Sequence, residues 1–341
     1  VDSARRFTLE APVFRTQPLE LLMDHPELVT IFGGSGFVGT QVVQLLARAG
    51  YRIRVAVRRP DLAGHLRPLG AVGQVVPMQA NVRNRESVQA AVKGASIVIN
   101  MAAIGIEKGR QNFRAVNVMG ARHVAEAASA AGAERFVQMS VLGAADDSAS
   151  LFSRSRAAGE AEVLRAFPGA TIIRPSVIFG VNDDFFNLIG NLVRVLPVFP
   201  LFGGKTKFQP VYVGDVAEAV VAAAEGRARP GKVYELGGPE VLTYREIAER
   251  VLRDTKRNNP ILPLPTAMGA LLAIPMALMP KPLLTVDRVR LLGIDNVVSD
   301  AAVKEKRAIA AFGIVPTPLD AVLPTYLWRF SQNGQFDRQT A

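Results

Sequence analysis

From Leu28 onward, short apolar runs alternate with stretches whose apolar residues recur every three to four positions. Leu28–Phe32 is a continuous apolar run that ends at glycines, the pattern of a strand buried on both faces of a parallel sheet. Gly36–Ala49 follows with Val38, Val42, Leu45, Leu46 and Ala49 on one face and Gly50 as a stop, which predicts a helix. The same reading places strands at Tyr51–Val57, Gln74–Met78, Ser96–Met101, Arg135–Ser140 and Ala170–Arg174. Helices fit between them at Arg85–Val92, Gln111–Ala131 and Ser153–Phe167. Such alternation predicts an α/β fold with a doubly wound parallel sheet.

Past Pro175 the pattern loosens. Gln209–Val213, Val216–Ala224 and Tyr244–Asp254 interleave with Pro- and Gly-rich loops, which predicts a smaller C-terminal α/β lobe. The expected division is an arm over 1–27, a sheet domain over 28–175, an interleaved lobe over 176–330 and a tail over 331–341. Pro260–Pro280 contains no charged residue but is broken by Pro263, Pro265 and Pro275. It is too interrupted for a spanning helix, which needs about 20 apolar residues. Two readings stay open: a buried helix with its loop, or a surface over 260–285 that docks on a membrane or a protein.

The turn after the first strand reads Gly33-Gly34-Ser35-Gly36-Phe37-Val38-Gly39. A chain that turns sharply, lets its backbone approach a pyrophosphate and aims a helix N-terminus at that charge needs glycine at these spacings. Set between a strand and a helix, the motif predicts a Rossmann-type dinucleotide site. An NAD site usually ends its second strand with an acid that accepts from the ribose 2′-hydroxyl. Here the strand ends Val57-Arg58-Arg59. Guanidinium groups grip a 2′-phosphate, so NADPH (or NADP+) is the expected cofactor and Arg58 and Arg59 its expected anchors.

Composition narrows the chemistry further. The chain has 341 residues, enough for one large or two unequal domains, and no cysteine. Thiol nucleophiles, thiolate metal sites and disulfides are therefore excluded. His25, His65 and His123 show no metal-ligand spacing. The formal charge of +10 favours anionic partners. The arginines cluster beside the cofactor turn and no recognition-helix pattern is present, so nucleic acid is not expected. The first 27 residues carry Asp2, Glu10, Glu20, Asp24 and Glu27 and no apolar core, unlike a secretory signal or a transit peptide.

Several landmarks resemble the extended short-chain dehydrogenase/reductase family. They are Asn100-Met101-Ala102-Ala103, Asn117 with Gly120, Ser140, Arg174-Pro175-Ser176-Val177-Ile178-Phe179-Gly180 and Val213-Gly214-Asp215-Val216-Ala217. The resemblance implies that Asn81, Val82, Met101, Ala102, Ala103, Ser140, Arg156, Pro175 and Val177 border the cofactor. The family's proton-transfer pair, Tyr and Lys four residues apart, falls here on Phe152 and Arg156. Phe152 has no proton to give, and Arg156 is a poor relay because its pKa is high. None of the five tyrosines has lysine four positions on.

The chain also resembles the nucleotide-binding accessory subunits of respiratory complex I, through Thr30–Gly39, Leu284–Val289, Asp295–Ser299 and Pro324–Leu327. That resemblance implies a tightly held NADPH off the electron path, and a place among the other complex I subunits near the junction of the peripheral and membrane arms. It also implies a peripheral position on the cytoplasmic (or mitochondrial matrix) side of the respiratory inner membrane. Relatives often keep Tyr and Lys where this chain has Phe152 and Arg156. The expectation is a non-catalytic accessory subunit. The alternatives are an active NADP-dependent reductase or nucleotide-sugar epimerase, with Ser140 or Ser153 as substitute donor, and a sensor of cofactor redox state.

Overall fold

A computed structural model describes residues 27–276, 284–332 and 334. All of the arm over 1–27 except its last residue, part of the uncharged stretch and most of the tail lie outside the described residues.

Strands β1 (Leu28–Phe32), β2 (Arg52–Val57), β3 (Val75–Gln79), β4 (Ile97–Asn100), β5 (Arg135–Met139) and β6 (Thr171–Pro175) build a parallel sheet. Each lies within a residue or so of its predicted bounds. The seventh strand, Val233–Leu236, comes from beyond the break at Pro175 and pairs parallel with β6. The order across the sheet is Val233–Leu236, β6, β5, β4, β1, β2, β3. The order reverses between β1 and β4, and a crevice opens at the carboxyl ends of strands flanking such a switch point.

Both faces of the sheet are covered. Helices α1 (Phe37–Arg48) and α6 (Val213–Ala224) pack together on one core, with Ile31, Val43 and Val220 fully buried. Helices α2 (Arg85–Val92), α3 (Met119–Ala130) and α4 (Leu151–Ala166) cover the other, around Phe32, Phe136 and Ile172. Full burial of one such side chain is worth about 1.5–3 kcal/mol, so the sheet is the stable platform for the site.

A continuous helix over Gln111–Ala131 is not what forms. The segment Arg114–Val118 is a π-helical turn, and α3 begins at Met119. Asn117 explains the widening. Its side chain accepts from the Ile104 amide (2.9 Å) and donates to the Ile104 carbonyl (3.1 Å) and to Ser155 Oγ (3.0 Å). A polar side chain held on the inner face displaces the regular ladder, as π-bulges at functional sites do.

The lobe is a third core around Phe186, Phe199 and Leu323. It is built from α5 (Phe185–Val195), α7 (Tyr244–Asp254) and the helix Leu319–Leu327, with Phe199–Phe202 pairing parallel to Ile261–Leu264. The uncharged stretch forms α8 (Thr266–Met276). It is not simply a buried helix: Ala273 is buried, but Met268, Leu271 and Leu272 are 45%, 68% and 47% exposed.

Candidate functional site

The glycine turn works by close approach. Gly33 has φ +80, and a Cβ there would lie 2.8 Å from the Met101 carbonyl carbon. A Cβ on Gly39 would fall 2.3 Å from the Gly33 carbonyl oxygen, so α1 can sit against the turn only with glycine there. The N-cap of α1 is Gly36, with no side-chain cap and no acid in the first turn. The helix therefore presents bare N–H groups and the positive end of its dipole to the crevice.

A cleft of about 290 Å³ lies at this point. Of the predicted cofactor residues, Gly33, Ser35, Gly36, Arg58, Asn81, Val82, Met101, Ala102 and Ala103 line it. Gly34, Val38 and Gly39 do not; they serve the packing of α1 on the sheet. Phe37 joins Ser35 and Gly36 in an adjoining cleft of about 560 Å³ that Tyr212 and Val213 close from the lobe side. Pro175 and Val177 line a third space of about 190 Å³ together with Phe152, Asp295 and Asn296.

The two strand-end arginines part company. Arg58 faces the cleft and donates to Gln111 Oε1. Arg59 is exposed and forms a 2.7 Å ion pair with Asp61, so it is not a wall of the site as expected. Neighbours on an extended chain point to opposite sides, so one of the pair was bound to turn away. Arg83, not singled out from sequence, lines the cleft instead and donates to the Arg110 carbonyl (3.3 Å). Its signal was its place beside Asn81-Val82.

Ser140 and Arg156 are both buried, at 2% and 4% exposure. Arg156 donates to the Met139 carbonyl, which also accepts from Gln138 Nε2 at 2.7 Å. Burial pushes the guanidinium down to about 10, which still leaves it protonated at neutral pH. The carboxylate one turn on, Glu160, is turned away to Arg174, which it binds through two hydrogen bonds of 2.9 and 2.6 Å. Ser140 Oγ and Arg156 Nε have no hydrogen-bond partner among the described residues. Buried donors are rarely left unsatisfied, because the loss of hydration costs about 1–3 kcal/mol each. Neither residue lines the three clefts, although both were expected to border the cofactor, so the fit to a dinucleotide rests on the open helix end and the glycine cradle.

Phe152 packs against Phe113 with ring centroids 5.9 Å apart and presents no hydroxyl. Its helix is held from the lobe. Asp287, in the first turn of α9 (Val286–Leu291), accepts from Ser150 Oγ (2.8 Å) and from the amides of Leu151 (2.7 Å) and Phe152 (3.2 Å). A carboxylate at a helix N-terminus meets both unpaired amides and the dipole. Asn296 does similar work on the loop after β6, accepting from Ser176 Oγ (2.7 Å) and the Val177 amide (3.0 Å). These partners lie more than a hundred residues away in sequence, so periodicity gave no sign of them. Their signal was the pair of runs Leu284–Val289 and Asp295–Ser299.

Comparison with known proteins agrees with this geometry. The model of the NAD dependent epimerase/dehydratase family matches residues 29–237. The chain is 37% identical over 325 residues to NADH dehydrogenase (ubiquinone) 1 alpha subcomplex subunit 9, mitochondrial, of Arabidopsis thaliana, covering 90% of this chain and 79% of that one. It is 35% identical to the Mus musculus protein of the same name, covering 86% and 78%. The solved NADPH-dependent quinone oxidoreductase QOR2 of Escherichia coli, in complex with NADPH, shares the fold at a TM-score of 0.69 and 20% identity, over 88% of this chain and 99% of that one. The chain belongs to the NAD dependent epimerase/dehydratase family and, within it, groups with the subunit 9 proteins of complex I.

Proposed function

We propose that this chain is a non-catalytic accessory subunit of respiratory complex I that holds NADPH and stabilises the assembly near the junction of its peripheral and membrane arms. One observation carries the reading: the phosphate cradle is complete, while the side chain at the proton-donor position is Phe152. In this reading the bare N–H groups of α1 take the pyrophosphate, and Arg58 with Arg83 takes the 2′-phosphate. Arg156 and Ser140 hold the nicotinamide end. NADPH supplies hydride chemistry when bound. Phe152 supplies no proton, and a missing general acid costs about 10² to 10⁴ in rate.

A ligand bound only by the folded state stabilises it by about 4 kcal/mol at a thousandfold excess over Kd. The cofactor then acts as a structural part of the lobe interface. No helix among the described residues is long and apolar enough to cross a membrane. In this reading the chain sits peripherally on the matrix or cytoplasmic side of the inner membrane because its relatives are mitochondrial NADH dehydrogenase subunits, and the exposed apolar side of α8 supports a contact with the membrane surface or a neighbouring subunit.

The test is co-migration. Solubilised respiratory membranes, separated on a native gel, should carry this chain at the position of complex I. Deleting its gene should lower the amount of assembled complex. A chain that migrates alone, with complex I unaffected by its loss, overturns the assignment.

A further inference from the structure

The lobe contains a second space, away from the glycine cradle. A cavity of about 540 Å³ lies between α5, the strand Phe199–Phe202, α8 and α9. Its walls are Phe185, Leu188 and Leu192 of α5, with Phe202, Leu291 and Leu292 facing them. The charged residues on its border are Asp184 and Arg288, one of each sign. Its volume lies within the roughly 300–1,000 Å³ of small-molecule sites.

An open apolar cleft of this size keeps its shape only where its walls are held in place. They are pinned on each side. Asp183 accepts from the Phe186 amide and the Tyr326 hydroxyl (both 2.6 Å) at the start of α5. Asn259 Nδ2 donates to the carbonyls of Val193 (3.0 Å) and Leu196 (2.5 Å) at its end. Asp287 ties α9 to α4, and Thr206 Oγ1 donates to the Leu292 carbonyl at 2.5 Å. The strand wall is paired along Ile261–Leu264. Phe185, Leu188, Leu192 and Leu291 stay only partly buried.

We propose that this cavity is a binding site for one long aliphatic chain. The lining supplies dispersion contacts from aliphatic and aromatic side chains and few groups able to orient a sugar or a nucleotide, which selects a saturated chain over a polar substrate. The way in is marked by α8. Leu272 both lines the cavity and is 47% exposed, and Met268 and Leu271 beside it are exposed too, so an apolar track leads from the surface to the interior. At the other end the cavity shares Val177, Phe208 and Leu291 with the space beside Phe152. Asp184 and Arg288 together favour neither charge in a head group, so recognition rests on the chain. This site stands whether or not the protein resides in complex I.

The full-length chain, loaded with NADPH and stripped of lipid, is titrated with palmitate in a calorimeter. In a second arm it is floated with phosphatidylcholine–phosphatidylglycerol vesicles. Saturable binding of one palmitate per chain supports the site with a free fatty acid as source. Flotation without palmitate binding supports it with a bilayer lipid as source, provided that filling the cavity abolishes flotation. Leu188→Trp fills the interior, and Leu272→Trp blocks the half-exposed mouth where folding tolerates bulk. Each should weaken binding about tenfold or more, with NADPH affinity and melting temperature unchanged for at least the mouth variant. Absence of saturable binding in both arms, or wild-type binding by a folded Leu272→Trp chain, overturns the proposal.

Discussion

The two ends of the crevice have been treated differently. At the start of α1, each backbone requirement of a phosphate cradle is met, down to a glycine whose Cβ would sit 2.3 Å from a carbonyl oxygen. At the start of α4, in the reading proposed above, the scaffold is kept and the proton-donor position carries Phe152, which has no titratable group. The helix is capped by Asp287, its neighbour Arg156 is buried, and the position that faces the space between sheet and lobe is Phe152. Holding a dinucleotide depends on backbone geometry and fixed charge, whereas turning it over depends on one titratable hydroxyl. The two can therefore be separated by a single side chain.

The sharpest way to break this comparison is to restore the missing group. Phe152→Tyr combined with Arg156→Lys should raise NADPH oxidation, assayed against a panel of short aldehydes and ketones, by about 10² or more over wild type. Equal rates in the two chains would mean that the phenol is not what separates binding from turnover. The opposite manipulation spoils the cradle. Gly39→Ala overpacks α1 against the turn, at roughly 1–3 kcal/mol. NADPH affinity, followed by cofactor fluorescence, should fall about tenfold to a hundredfold.

How far the sequence carried this comparison differs along the chain. β1, its turn and α1 were legible because a strand buried on both faces reads as an unbroken apolar run, and glycines spaced this way between a strand and a helix serve a tight phosphate-binding turn. α7 was bounded correctly because its apolar stripe runs under a capping box at Thr243 and Glu246. The strand Val233–Leu236 escaped notice because four residues carry little periodicity; its place is set by pairing with β6. α5 does carry a stripe, with Phe186, Ile189, Gly190 and Val193 buried at helical spacing, but it lies among the Pro- and Gly-rich loops past Pro175 and was not read from them. The grip of Asp287 on α4 joins residues 136 apart in the chain at 2.7 Å, and no local pattern encodes such a contact.

Two smaller effects sharpen the account of the cradle. Arg58→Ala should cost NADPH about 1.5–3 kcal/mol of binding, the range of a hydrogen bond to a charged group, and leave NADH affinity unchanged. Arg59→Ala, with its partner Asp61 at the surface, should change neither, and competitive titration with the two nucleotides checks both variants. At the other end, Arg156→Met removes a buried cation that no carboxylate pairs among the described residues. An unpaired buried charge carries a desolvation cost on the order of several kcal/mol, and an apolar side chain in its place removes that cost. The cofactor-free chain should melt no lower than wild type and bind NADPH more weakly.

The claim at the centre is that the cofactor is held and not consumed. Nucleotide released from the chain, isolated within its native assembly during steady electron transfer, measures this directly by chromatography. The account predicts NADP(H) at about one per chain, with the fraction in reduced form constant over many turnovers of the complex. Recovery of NAD(H), of no nucleotide, or of a reduced pool that drains as turnover proceeds would contradict it.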